Sequence, residues 1–178
     1  MQNYLELRVP VCFDADWFVE LRRVMVEEGI NVRWQPEDTF HITAVFINDD
    51  RHVAALESAF TKQLTGRTAP LLTIDVLDVF KTGGGRDYVV CLKSSVPSDD
   101  VLSLIEDLRN EATGIGADIN SGFFIHITLG RIKANETTLE RIKGIISRIN
   151  LPAFTVALTN ARYRYYRGKV IRELKIES

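Results

Sequence analysis

The sequence predicts an α+β fold: two pseudo-symmetric lobes, each an antiparallel sheet flanked by two helices, with a cleft between them. Three observations point there. The 178 residues are 46% hydrophobic and 26% charged, an ordinary globular composition that excludes a low-complexity or disordered chain. Short segments of period-two alternation are interleaved with longer segments of helical period, so strands and helices share one chain. The two halves then repeat the same succession at an offset of about 85 residues. No Ser-, Gly- or Pro-rich linker parts the halves, so residues 1–178 read as one domain built by internal duplication.

Each element follows from its local pattern. Residues 4–9 alternate apolar and polar side chains and read as a strand, and residues 88–93 read as its counterpart. A helix begins near Asp14, with Phe18, Leu21, Val24 and Met25 at helical spacing, and stops at Gly29. Its counterpart begins at Ser98, a good N-cap, carries Leu102, Ile105 and Leu108 on one face and stops at Gly114. Gly29 precedes His41 by 12 residues, and Gly114 precedes His126 by 12. Strands surround both histidines. Helical patterns return at residues 50–64 and 136–149, each followed by a proline-led strand at Pro70 and at Pro152. Strands at 76–80 and 88–92 form a hairpin across Gly83-Gly84-Gly85, which lacks the Lys-Ser/Thr and the helix start of a phosphate loop. Strands at 159–167 and 170–176 close the chain.

Charge and cysteine content narrow the function classes. Lys and Arg number 22 against 24 Asp and Glu, a net −2, without the basic excess of a protein that clamps long duplex nucleic acid. A local site for a small or terminal phosphate needs no such excess. Cys12 and Cys91 lie in apolar, strand-like stretches and read as two buried, reduced thiols, with no disulfide framework or Cys-x-x-Cys metal knuckle. No apolar run approaches the roughly 20 residues needed to span a bilayer. The first ten residues read as a strand and not as a signal peptide, so a cytoplasmic protein without membrane partners is expected.

Two of the three histidines occupy equivalent places in the repeat, and each begins the same tripeptide. His41-Ile42-Thr43 and His126-Ile127-Thr128 are 85 residues apart. On a strand, residues i and i+2 share a face. His41 and Thr43 therefore share one face, with Phe40, Ile42, Ala44 and Phe46 on the other. His126 and Thr128 share a face, opposed by Ile125, Ile127 and Leu129. Lobes facing each other would bring two His/Thr pairs into the cleft. A histidine titrates near neutrality, so one imidazole takes a proton from an attacking water or hydroxyl while the other, protonated, gives one to the departing oxygen. The threonine hydroxyls hydrogen-bond the non-bridging oxygens of a phosphate. That is phosphodiester chemistry without a cofactor or metal. No carboxylate sits beside either histidine on its own strand face, and no His-x-His or His-Glu-x-x-His cluster occurs.

These motifs resemble those of the 2H phosphoesterase family, named for two H-x-[ST] motifs. Its members include bacterial RNA 2′,3′-cyclic phosphodiesterases, also called 2′-5′ RNA ligases, and plant cyclic nucleotide phosphodiesterases. The resemblance spans the whole chain. It rests on Phe40-His-Ile-Thr-Ala-Val-Phe46, on His126-Ile-Thr-Leu-Gly-Arg131 and on their separation. It implies a bilobal α+β fold with a catalytic set of His41, Thr43, His126 and Thr128 in the central cleft. It also implies a hydrolase acting on 2′,3′-cyclic phosphates or 2′-5′ linkages of RNA ends or nucleotides. Ala44 stands where a larger aliphatic is usual. The rival reading is a nucleotide- or RNA-end-binding module that keeps the cleft without catalysis.

Other residues carry weaker signals. Arg131 follows the second motif and suits a phosphate, although strand parity turns it away from His126 unless Gly130 breaks the strand. Arg162, Arg164, Arg167, Lys169 and Arg172 interleave with Tyr163, Tyr165 and Tyr166. Tyr163 and Arg164 are the candidates there for contact with a nucleotide, against the plainer reading of a charged, exposed strand. Trp34 and Phe80 suit a stacked base or the core, the core being the simpler place. His52 lies outside both motifs and reads as a surface residue.

Overall fold

The first alternating segment forms β1 (Asn3–Arg8), with Leu5 and Leu7 buried on one face. A computed structural model describes residues 1–177. After β1 come α1 (Asp16–Glu27), the two-residue strand β2 (Arg33–Trp34), a short 3-10 turn at Glu37–Thr39, β3 (His41–Ile47) and α2 (Val53–Leu64). Next are β4 (Leu71–Ile74), β5 (Val76–Lys81), β6 (Asp87–Lys93), α3 (Asp99–Ile115), β7 (Ile127–Lys133) and α4 (Leu139–Ile146). The strands β8 (Phe154–Ala157), β9 (Asn160–Tyr165) and β10 (Val170–Lys175) complete the order.

The strands form two antiparallel four-stranded sheets, β10-β9-β1-β3 and β2-β7-β6-β5, and a two-stranded sheet, β4-β8. The predicted glycine hairpin joins β5 to β6, with Gly85 in the left-handed conformation (φ 69°) that glycine adopts without steric cost. The strand β2 escaped the sequence reading because two residues carry no period. It pairs with β7, Arg33 opposite Arg131 and Trp34 opposite Gly130.

The helices α3 and α4 are capped as polar side chains dictate. Ser98 caps α3, its hydroxyl accepting from the Val101 N–H, and Thr138 caps α4 in the same way from Arg141. The C-terminal end of α3 differs from expectation. Gly114 lies inside the helix, and Gly116, with φ 92°, is the left-handed cap.

Each four-stranded sheet carries helices from both halves of the sequence. On the β10-β9-β1-β3 sheet, α3 packs against β3 and α2 against β10, with α2 and α3 side by side. On the other sheet α4 packs against β5 and α1 lies beside α4, while Phe18 of α1 meets the Trp34 ring edge-on at 5.6 Å. The first helix of each half thus covers the sheet that holds the other half's histidine motif. Hydrophobic segments cover whichever sheet face completes their burial, and periodicity alone does not name that face. Tyr163 belongs to this core. It is fully buried, stands edge-on to Phe60 at 5.2 Å and donates its hydroxyl to Asn3 Oδ1 at 2.7 Å. Cys91 is buried as expected, but Cys12 is exposed in the loop after β1.

Candidate active site

Strand pairing decides what shares the histidine faces. In the first sheet Arg8 lies opposite His41, Glu6 opposite Thr43 and Tyr4 opposite Phe46. Between the last two pairs the register slips, so that Ala44 is an extra residue on β3. A bulge of this kind reverses the side-chain phase beyond it. Phe46, predicted on the apolar face, is therefore on the face of His41 and Thr43, while Val45 and Ile47 are buried.

The second motif carries the same device. Cys91 lies opposite Thr128 and Val90 opposite Gly130, leaving Leu129 as the extra residue on β7. The two bulges are 85 residues apart. The second one returns Arg131, paired with Val89, to the face of Thr128. Parity had turned Arg131 away, and the bulge corrects it. His126 itself stands one residue before β7 begins, although its tripeptide was read as strand throughout.

Both imidazoles are held alike. His41 Nδ1 lies 2.8 Å from the Thr39 carbonyl oxygen, and His126 Nδ1 lies 3.2 Å from the Phe124 carbonyl oxygen. Each ring is tied through Nδ1 to the backbone two residues before it, which leaves Nε2 as the free nitrogen. The surroundings differ. His41 Nδ1 is also 3.3 Å from Glu6 Oε2, and its ring is 5.8 Å from that of Tyr4. Burial, and then the Glu6 carboxylate, pushes the Tyr4 phenol up to about 12. His126 is sandwiched by aromatics: Phe124 stacks on it at 4.5 Å and Phe80 meets it edge-on at 5.2 Å. Burial pushes the His126 imidazole below its usual range; the positive charges of His41, Lys93 and Arg131 add to this, and the Phe124 carbonyl opposes it.

A cavity of about 220 Å³ joins the two motifs, lined among others by Thr43, Phe46, Arg109, Phe124 and His126. His41 shares the face of Thr43 on β3, and Thr128 stands opposite Cys91 on β7. The Arg109 guanidinium donates to the Asn120 carbonyl at 2.8 Å and lies 5.2 Å from the Phe123 ring. Lys93 pairs with Asp78 at 2.7 Å and sits 5.3 Å from the Phe124 ring centre. A larger groove of about 720 Å³ runs past Arg8, Glu37 and Arg162, where β1 ends and β9 begins. Among the described residues, no group of three or more His, Cys, Asp or Glu side chains is gathered closely enough to hold a metal ion.

The structure thus brings His41, Thr43, His126, Thr128 and Arg131 to two neighbouring faces. Arg164, paired with Tyr4 on β9, is on the histidine face and donates to the Gly168 carbonyl at 2.9 Å. Tyr163 is on the opposite face and, being buried, cannot meet a ligand there. Phe80, assigned more simply to the core, instead edges His126. Trp34 does pack on Phe18 as core. His52 precedes α2 as its N-cap residue, away from the motifs. The sequence reading missed Glu6, Phe46 and Phe124. Glu6 had a signal: an acidic residue between Leu5 and Leu7, two places from Tyr4 and from Arg8.

No protein-family model matches the chain. It is 24% identical over 150 residues to the RNA 2′,3′-cyclic phosphodiesterase of Thermotoga maritima, covering 83% of this chain and 76% of that protein. In fold it is similar to E. coli LigT complexed with 3′-AMP, at a TM-score of 0.63 and 18% identity over 100% of both chains. It is similar also to Kluyveromyces marxianus Usb1 with uridine monophosphate, at a TM-score of 0.63 and 8% identity over 98% of both chains. In its paired motifs, its likeness to the Thermotoga protein and its fold, this chain resembles the 2H phosphoesterases.

Proposed function

We propose that this chain is a phosphodiesterase that hydrolyses 2′,3′-cyclic phosphates or 2′-5′ linkages of RNA ends or nucleotides, using its two histidines and no metal. One observation carries the reading. His41 and His126 are each tethered through Nδ1 to a backbone carbonyl, so each presents Nε2, and each shares its face with a threonine hydroxyl. In hydrolysis a neutral Nε2 removes a proton from water as its oxygen bonds to phosphorus. The phosphorus–oxygen bond to the departing ribose oxygen breaks, and the protonated Nε2 supplies that oxygen's proton. Thr43, Thr128 and Arg131 are suited to the non-bridging oxygens, where negative charge grows. The substrate is a small nucleotide or RNA end and not a long duplex, in keeping with the net charge of −2. We read residues 1–178 as one duplicated, cytoplasmic domain; among the described residues no helix is long and apolar enough to cross a membrane.

The test is turnover of a 2′,3′-cyclic nucleotide, with circular dichroism to confirm folding. His41→Ala and His126→Ala should each lose about 10²–10⁴-fold, the worth of a positioned acid or base. Thr43→Ala and Thr128→Ala should slow turnover too, and His52→Ala should match the wild type. Wild-type turnover in either histidine variant would leave the non-catalytic binding module as the better reading.

A further inference from the structure

The two halves match at histidine, threonine and bulge, but not at the residue beside each threonine. Glu6 stands opposite Thr43, and 85 residues later Cys91 stands opposite Thr128. Glu6 is 1% exposed and, among the described residues, is buried with Asn3 beside a large apolar core. A lone carboxylate at that depth is strongly disfavoured, so its surroundings must compensate it. From its own strand Arg8 Nη1 lies at 3.4 Å, and the Tyr4 phenol faces it. From β9 Arg162 Nη1 lies at 3.8 Å, itself paired at 2.7 Å with Glu173 of β10. Arg164 of β9 acts on Tyr4, and from β3 comes His41 Nδ1 at 3.3 Å. The negative charge is thus shared among two guanidiniums and one imidazole.

Among the described residues no carboxylate acts on His126 in this way. Cys91 is an uncharged thiol there, pushed by burial to about 12. Across β5, Asp78 faces Cys91, but its carboxylate is engaged by Lys93 Nζ and by the Val79 N–H at 2.8 Å. Lys93 and Arg131 contribute only positive charge to His126.

We propose that Glu6 is a positioning residue that holds His41 charged and oriented as the proton donor, while the uncharged Cys91 at the matching place leaves His126 as the proton acceptor. The inference rests on the two-histidine reading of the cleft. An anion 3.3 Å from Nδ1 stabilises the imidazolium, whereas the half-buried, cation-flanked His126 favours the neutral ring.

Histidine NMR titration of the free protein tests this without reference to activity. Glu6→Gln keeps the shape and removes the charge. It should lower the His41 midpoint by about one to three pH units and leave that of His126 in place. Arg8→Gln removes a competitor for Glu6 and a neighbouring positive charge, so it should raise the His41 midpoint, a change of opposite sign. In hydrolysis of a 2′,3′-cyclic nucleotide, Glu6→Gln should bring the alkaline limb of the rate profile to lower pH and reduce kcat more than it raises KM. Glu6→Asp should restore part of that loss. A His41 midpoint that Glu6→Gln does not lower overturns the role of Glu6, and if Glu6→Gln does not fold, a Glu6→Asp midpoint equal to the wild type's overturns it. A shift of the acid limb in place of the alkaline one overturns the donor assignment. A wild type that turns over no cyclic nucleotide overturns the phosphodiesterase reading, and the titration still decides whether Glu6 governs His41.

Discussion

Replacing Gly130 with alanine should destabilise the protein although it adds a single methyl group. Gly130 sits on β7 between the bulge at Leu129 and Arg131, with β2 laid against it. A Cβ built there would stand 2.6 Å from Val32 Cγ1, 2.9 Å from Trp34 Cε3 and 3.1 Å from the Arg33 carbonyl oxygen. The Trp34 ring cannot swing freely, because Phe18 packs edge-on to it, and the Arg33 oxygen is backbone. The whole of β2 must move outward, which loosens the bond from the Gln35 N–H to the Leu129 oxygen at 2.8 Å. Overpacking of this kind costs about 1–3 kcal/mol. In a chain of this size each kcal/mol moves the melting temperature by roughly 2–4 °C, so the loss should be about 2–12 °C. Gly144, inside α4, has nothing within 4 Å of its Cβ position. The same substitution there should be neutral or stabilising by up to about 1 kcal/mol, since alanine is the better helix former. Thermal unfolding followed by circular dichroism compares the two. If Gly130→Ala melts at or above the wild-type temperature, β2 does not clamp the second motif as argued.

The pH dependence of hydrolysis should be bell-shaped. Because burial keeps His126 below the ordinary imidazole range, its neutral, proton-accepting form persists to lower pH, and the acid limb should fall below the usual value of about 6.5. The same assay with excess EDTA should show an unchanged rate, and activity lost on chelation and regained with zinc or manganese would refute metal-free chemistry. Tyr163→Phe should cost about 1–3 kcal/mol in urea unfolding, because it strands the buried Asn3 oxygen, yet leave KM for a cyclic nucleotide unchanged. A raised KM with unchanged stability would instead make Tyr163 a ligand contact.

What the sequence determined by itself was local and periodic. Alternation located β1, because a strand with one buried face must alternate, whereas β6, buried along both faces, shows only an unbroken apolar run from Tyr88 to Leu92. Glycine and serine punctuated the helices for reasons of backbone freedom and capping, and the repeated His-x-Thr tripeptide needed only comparison of the chain with itself. The tertiary structure decided whatever depends on a partner. A bulge exists only against a paired strand, so the turning of Phe46 and Arg131 onto the histidine faces could not be read from β3 or β7 alone. The side of β9 that meets α2 fixed Tyr163 in the core and sent Arg164 to the histidine face, where parity distinguished the two residues without ranking them. The first helix of each half covered the sheet outside its own motif, since burial rewards any complementary apolar face. Glu6 shows the division most plainly. Its place in the strand is a matter of sequence, but its compensation by Arg8, Arg162 and His41 required β1, β3 and β9 to lie side by side.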